Sequence, residues 1–316
     1  MHIHMVTPAP AHSRKGNRIT ALRWARMLRS LGHRVTLAQD YQGERCDVLI
    51  ALHARRSHPA LARYRAQHPT APLIVALTGT DLYQDIHRDP DAQASLEMAD
   101  LLVTLQPLAV REVPRACQGK VRTILQSVPP LPRRPPPNRR TFDVAVVGHL
   151  RPVKDPFLPA EAARLLSATS RIRIVHIGGA MEQDMEERAT REMKENPRYL
   201  WCGEYPRWKT RRRMAACRAL VLPSKMEGGA NAISEAIVDG VPVIASHIPG
   251  SVGMLGEAYP AYFPVGEAKP LAALLARIEE DPPFLAILSR HVRSLAPDYR
   301  PEREQRAWRD LLKELP

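Results

Sequence analysis

Short apolar runs recur along the first half of the chain: HIHMV at 2–6, HRVTLA at 33–38, DVLIAL at 47–52, PLIVAL at 72–77 and DLLVT at 100–104. Each has the length and branched content of a buried strand. Between the first two, residues from Asn17 to Leu31 space Leu22, Ala25, Met27 and Leu28 on a helical period, and Gly32 supplies a stop. Strand, helix, strand in this rhythm predicts a parallel sheet covered on both faces. The rhythm restarts with FDVAVVG at 142–148, RIRIVHIGG at 171–179, ALVLP at 219–223 and VPVIAS at 241–246. A last stretch, PEREQRAWRDLLKEL, opens on Pro301 and reads as an amphipathic helix. Between the halves, QSVPPLPRRPPPNRR at 126–140 holds proline where neither helix nor central strand can continue, which predicts a linker.

The pattern therefore predicts an α/β chain of two Rossmann-like, doubly wound parallel-sheet domains facing across a cleft. Residues 1–130 form the first, 131–300 the second, and 301–316 a terminal helix that crosses back to the N-terminal domain. In such sheets ligands bind beyond the carboxyl ends of the strands.

Composition narrows the class. The chain has 316 residues, 44% hydrophobic and 25% charged, as expected of a globular protein with room for two cores. No apolar run reaches the roughly 20 residues of a membrane helix, and MHIHMVTPAP lacks the build of a signal peptide, so no membrane span and a cytoplasmic location are expected. The four cysteines, Cys46, Cys117, Cys202 and Cys217, form no CxxC pair; buried, reduced thiols are expected rather than disulfides or zinc. Lys and Arg number 46 against 33 Asp and Glu, a net charge of +13. That surplus fits nucleic acid, anionic lipid or phosphorylated small molecules, or arginines on solvated faces. In the nucleic-acid reading Arg211, Arg212 and Arg213 would contact phosphates. Against it, there is no recognition-helix, zinc-finger or stacking motif, and aromatic residues make up only 5%, so these arginines are expected on the solvated face of a helix.

The chemistry concentrates in SKMEGGANAISEAIVDG, which follows the strand ALVLP. Gly228 and Gly229 allow close approach of the backbone to a ligand, and a helix starting near Asn231 turns its positive end toward it. Glu235, a turn further on, is placed to accept hydrogen bonds from vicinal hydroxyls, and Glu227 to reach a sugar. This context, PS…EGG…EA…G-PV-A with Glu227 and Glu235 eight positions apart, resembles the retaining-type glycosyltransferase family four, of GT-B fold. The resemblance implies that Glu235 holds the ribose of a nucleotide sugar, and that Glu227 with Gly228, Gly229, Ala230 and Asn231 holds the hexose. In VGHLRPVKDP, Lys154 takes the place of the family lysine that neutralises the donor diphosphate. His149 stands where the family has arginine and Arg151 follows two residues later, so either completes the clamp. Gly178 and Gly179 end a strand where the family approaches the nucleotide, Gly203 to Tyr205 lie near the base, and uridine is the implied base. Gly16, between the first strand and first helix, is counted with the donor contacts. Lys154, Arg151 and Glu227 form the candidate catalytic group.

On the acceptor side, Arg14, Lys15 and Arg18 surround Gly16 and Asn17 at a helix N-terminus that already favours an anion. His53, Arg55 and Arg56 follow the strand DVLIAL and project from the same edge. The run Thr78-Gly79-Thr80-Asp81 has threonine where many family members have histidine, so no obvious general base is left here. TPAP…SRKGNR-TALRWA, ALHARRS, ALTGTDLY and SHIPGSVGMLG resemble one branch of the family, the selenosugar synthases of selenoneine biosynthesis. That resemblance implies transfer of N-acetylglucosamine or glucose from a UDP-sugar to selenophosphate, giving a 1-seleno sugar. A conventional transferase acting on a hydroxyl of a lipid or polysaccharide stays open as the alternative. The implied partners are the UDP-sugar, selenophosphate and enzymes of the same pathway, without nucleic acid. No Asp-x-Asp motif is present, so no metal is expected.

Overall fold

The computed structural model describes residues 1–11 and 16–315. Arg14 and Lys15, two acceptor candidates, lie outside the described residues. The chain divides into two compact units. Unit 1 comprises Met1–Ser127, Glu227–Asn231 and Pro301–Pro316, and unit 2 comprises Val128–Met226 and Ala232–Arg300.

Unit 1 carries six parallel strands, β1 (His2–Val6), β2 (Arg34–Ala38), β3 (Val48–Leu52), β4 (Leu73–Ala76), β5 (Leu101–Thr104) and β6 (Val121–Thr123), in the order β2-β1-β3-β4-β5-β6. Their side chains alternate between two cores. Leu49, Ala51, Leu73 and Val75 face one with Tyr41 and Tyr64, while Val48, Ile50, Ile74 and Ala76 face the other with Trp24 and Trp308. Strands buried on both faces read as continuous apolar runs, which is why the sequence shows them. The helix Gly16–Ser30 and the terminal helix Pro301–Lys313 meet through Trp24 and Trp308, whose rings stack edge to face with centroids 4.8 Å apart.

Unit 2 repeats the design with β7 (Phe142–Val147), β8 (Ile172–Ile177), β9 (Tyr199–Trp201), β10 (Ala219–Leu222), β11 (Val243–Ser246) and β12 (Tyr262–Phe263), ordered β12-β11-β10-β7-β8-β9. In each unit the order of strands reverses at one point, between β1 and β3 and between β7 and β10, where a crevice opens at the carboxyl ends. The helix Asn231–Asp239 ends at Gly240, which has φ +66°, and Val241 N–H donates to the Ala236 carbonyl at 2.8 Å.

The sequence pattern does not reveal β6, β9 and β12. All are half-buried sheet edges of two or three residues, too short to stand out as strands even where, as in Tyr199–Trp201 and Tyr262–Phe263, every residue is apolar. The proline-rich stretch is also less free than a linker composition implies. Gln126, Ser127 and Val128 are buried, and Arg134 donates to the carbonyls of Ala215, Cys217 and Gly240. Of the cysteines, all free, Cys117 and Cys217 are buried but Cys46 and Cys202 only partly so.

The carboxyl ends of β7 and β8 approach so closely that a Cβ on Gly178 would lie 1.8 Å from the Gly148 carbonyl oxygen. Backbone cannot yield as a flexible side chain does. Gly178→Ala is therefore expected to destabilise the protein by ~3 kcal/mol or more, read as a lower urea midpoint; an unchanged midpoint would contradict this packing.

Candidate active site

In unit 2 the turn after β7 is built by backbone and three polar side chains. His176, fully buried in β8, places Nε2 3.0 Å from the Gly148 carbonyl and Nδ1 2.8 Å from the Tyr199 hydroxyl. The carbonyl only accepts, so Nε2 carries the proton and Nδ1 accepts from Tyr199. Trp201 Nε1 donates to the Gly178 carbonyl at 2.8 Å. These contacts hold the ends of β7 and β8 in one place.

Over that frame lies the candidate diphosphate group. Lys154, half-buried, closes the turn Pro152–Lys154 and runs its stem about 4.0 Å from the position of a Cβ on Gly148. His149 is half-buried and its Nδ1 accepts from Gly179 N–H at 3.3 Å. Burial holds its imidazole below the usual value against the pull of Glu204, with Arg151 and Lys154 working in the same direction as burial. Arg151 is exposed. The two clamp candidates thus differ: His149 is a largely neutral ring engaged with backbone, and Arg151 a solvent-facing cation.

Glu235 is buried on the helix Asn231–Asp239, and Arg207 Nε donates to its Oε1 at 3.0 Å. Arg207 opens the helix Arg207–Ala215, and one turn along it and along Asn231–Asp239, Arg211 makes a paired contact to Asp239 and donates to the Pro129 carbonyl. Burial raises the Glu235 carboxyl by more than Arg207 and Arg211 bring it down, with Asp239 adding to the rise. The expectation of a solvated arginine face over Arg211–Arg213 is corrected here. Arg211 is buried on Asp239 and Arg213 pairs with Asp143 at 3.1 Å, while Arg212 is exposed. Carboxylates on neighbouring elements, far apart in sequence, draw these two cations inward.

In unit 1 the acceptor candidates His53, Arg55, Arg56 and Thr78–Thr80 follow the carboxyl ends of β3 and β4. Asp81 is buried and accepts from the backbone N–H of Ala54, Thr78 and Gly79 at 3.1, 3.0 and 2.8 Å. That carboxylate fixes the Thr78–Thr80 loop. His53, buried at φ +77°, contacts Thr80 Oγ1 through Nε2 at 3.2 Å, and its Nδ1 accepts from Arg56 N–H at 3.3 Å. Arg55 pairs with Asp85 and Asp89, and Arg56 is exposed. Asn17 and Arg18 lie in the first turn of the helix Gly16–Ser30, and Arg18 Nε is buried without a hydrogen-bond partner.

The segment Glu227–Asn231 clusters with unit 1 rather than with the residues on either side of it. A Cβ on Gly228 would fall 2.4 Å from the Thr78 carbonyl oxygen, and one on Gly229 2.5 Å from Leu105 Cβ. Glu227 and Ala230 are buried beside them. Thr78, Gly79 and Gly228 are thus brought together. Sequence reasoning gave no role to Asp81, which braces its own loop, nor to Arg207, which meets Glu235, nor to Arg23, Gln126 and Glu304, which hold Asn231 and Gly229 through pairings across more than 100 positions. Among the described residues no cluster of three or more His, Cys, Asp or Glu could hold a metal ion, and no helix is long and apolar enough to cross a membrane.

Comparison with known proteins adds a family and a fold. The family model for glycosyl transferases group 1 matches residues 130–294. Among solved structures, HepE of Anabaena in complex with UDP superposes with a TM-score of 0.79 over 100% of both chains at 14% identity. Sucrose-phosphate synthase from Thermosynechococcus elongatus gives 0.79 over 99% of this chain and 98% of its own at 15% identity. A glycosyltransferase from Rickettsia africae gives 0.77 over 99% and 98% at 13% identity. The shared feature is the GT-B arrangement of two parallel α/β sheets.

The buried His176 sets a pH limit on this frame. Burial lowers its pKa from 6.5 to about 4, against the pull of the Gly148 carbonyl. Below pH 6.5 the unfolded chain takes a proton that the folded one refuses, so stability falls as pH drops toward 4. The loss is on the order of 3 kcal/mol. Urea unfolding across this range should show that fall in the parent and a flatter curve in His176→Gln; parallel curves would remove His176 as the cause.

Proposed function

The chain belongs to the group 1 glycosyl transferases, and on that premise we propose that it transfers N-acetylglucosamine or glucose from a UDP-sugar to selenophosphate. Unit 2, with the Glu227–Asn231 segment, serves the donor, and the strand ends of unit 1 serve the acceptor. Glu235 takes the ribose hydroxyls, Glu227 and Gly228 to Asn231 take the hexose, and Lys154 and Arg151 take the diphosphate. That HepE was solved with UDP and with UDP-glucose supports the choice of donor.

One observation carries the choice of acceptor. Groups able to take a proton at the ends of β3 and β4 are already engaged: Asp81 with three backbone amides, His53 at both ring nitrogens. Just past β3 stand Arg56, exposed, and Arg55, which also pairs with Asp85 and Asp89, and Arg18 opens the helix after β1. A hydroxyl acceptor gains from a base, whereas an anionic selenium nucleophile needs none and gains from the cations. Selenium attacks the anomeric carbon, a C–Se bond forms, and the anomeric C–O bond breaks with its electron pair leaving on UDP. Lys154 and Arg151 stabilise the charge that develops there without a proton transfer. Water then cleaves the Se–P bond, giving phosphate and a 1-seleno sugar for selenoneine biosynthesis.

The test incubates purified protein with UDP-N-acetylglucosamine or UDP-glucose and selenophosphate and follows UDP release and product mass. A selenium-containing hexose with stoichiometric UDP is expected. Lys154→Ala should lower kcat about 10²-fold or more, while Arg56→Ala should raise the KM for selenophosphate and leave that for the donor unchanged. Transfer to a hydroxyl acceptor with no selenium product would overturn the acceptor assignment and leave the donor assignment standing.

A further inference from the structure

Beneath the Glu227–Asn231 segment lies a buried chain of polar contacts that the proposed chemistry does not use. It starts on the terminal helix. Glu304 is buried, and its Oε1 accepts from Trp24 Nε1 at 2.7 Å and from Arg23 Nε at 3.2 Å, while Oε2 accepts from Ser127 N–H at 2.7 Å. Arg23, whose side chain is 10% exposed, continues outward. One terminal nitrogen donates to Gln126 Oε1 at 2.6 Å and the other to Asn231 Oδ1 at 3.1 Å.

The direction of these bonds is forced. A guanidinium has five N–H donors and no acceptor, so both amide side chains must turn their oxygen toward Arg23 and their NH2 away from it. For Gln126 the NH2 group donates to the Gly229 carbonyl at 3.1 Å. For Asn231 it lies on the opposite edge, in the first turn of the helix Asn231–Asp239, four residues before Glu235. Without Arg23 the Asn231 amide is free to turn either way. With it, Asn231 offers N–H rather than C=O.

We propose that Arg23 is a positioning residue of the donor site: anchored by Glu304 and Gln126, it fixes the Asn231 amide as a hydrogen-bond donor toward the hexosyl part of the nucleotide sugar. The terminal helix, through Glu304, then contributes to donor recognition from a position 73 residues beyond Asn231 in the chain. This inference rests on the donor assignment above.

The test compares binding of UDP and UDP-glucose, by calorimetry, to the wild type, Arg23→Met, Asn231→Ala and the double variant. Arg122→Ala serves as control, because it loosens the terminal helix at Glu314 without reaching Arg23. Arg23→Met and Asn231→Ala should each weaken UDP-glucose about tenfold, with UDP unchanged within about twofold, and the double variant should lose no more than the worse single one. If Arg23→Met fails to fold, Glu304→Gln, which keeps the size of the side chain, is read in its place and should weaken UDP-glucose in the same direction. Multiplicative losses in the double variant, equal losses for UDP and UDP-glucose, or an equal loss in Arg122→Ala would overturn the inference. A wild type that binds neither nucleotide would instead overturn the donor assignment on which it stands.

Discussion

The absence of a side chain at Gly228 is the constraint on which the site depends. At that point the segment Glu227–Asn231 runs backbone against backbone along the Thr78–Gly79 peptide, with 2.4 Å between the position of a Cβ and the Thr78 oxygen. Around this contact stand the buried Glu227 before it, the Gly229 carbonyl tied to Gln126, and Asn231 tied to Arg23. A peptide held this closely is rigid at little cost in side-chain entropy.

The second organising fact is that charge in this molecule is mostly committed. Asp81 braces a loop, Asp239 and Asp143 hold Arg211 and Arg213, and Glu304 anchors Arg23. Even Glu235 is engaged, by the half-exposed Arg207. A pair with one partner open to solvent is weak compared with a fully buried one, which leaves Glu235 able to exchange Arg207 for ribose hydroxyls in the donor role proposed for it. Arg56 and Arg151 stand exposed just past β3 and β7.

Much of the architecture was legible in sequence because strands buried on both faces must be apolar throughout, as Val48–Leu52 and Ala219–Leu222 are. Edge strands as short as Tyr262–Phe263 leave no trace even when apolar, because two residues show no periodicity. At the site, the glycines and glutamates stood out because their spacing follows from one loop and one helix. Arg23, Gln126 and Glu304 did not, since each looks like an ordinary polar residue until the fold closes separations of 103 to 281 positions between them. The arginine run at 211–213 misled for the same reason. Its partners lie on strands and helices elsewhere in unit 2.

The central claim, as proposed above, is that the protein takes a nucleotide sugar as its donor. Amide hydrogen exchange with and without a saturating UDP-sugar tests it most directly. The account predicts slower exchange in residues 148–154, at 178–179 and across 228–235, with the outer helices unchanged. Protection confined to other regions, or none at a ligand concentration that saturates turnover, would contradict it.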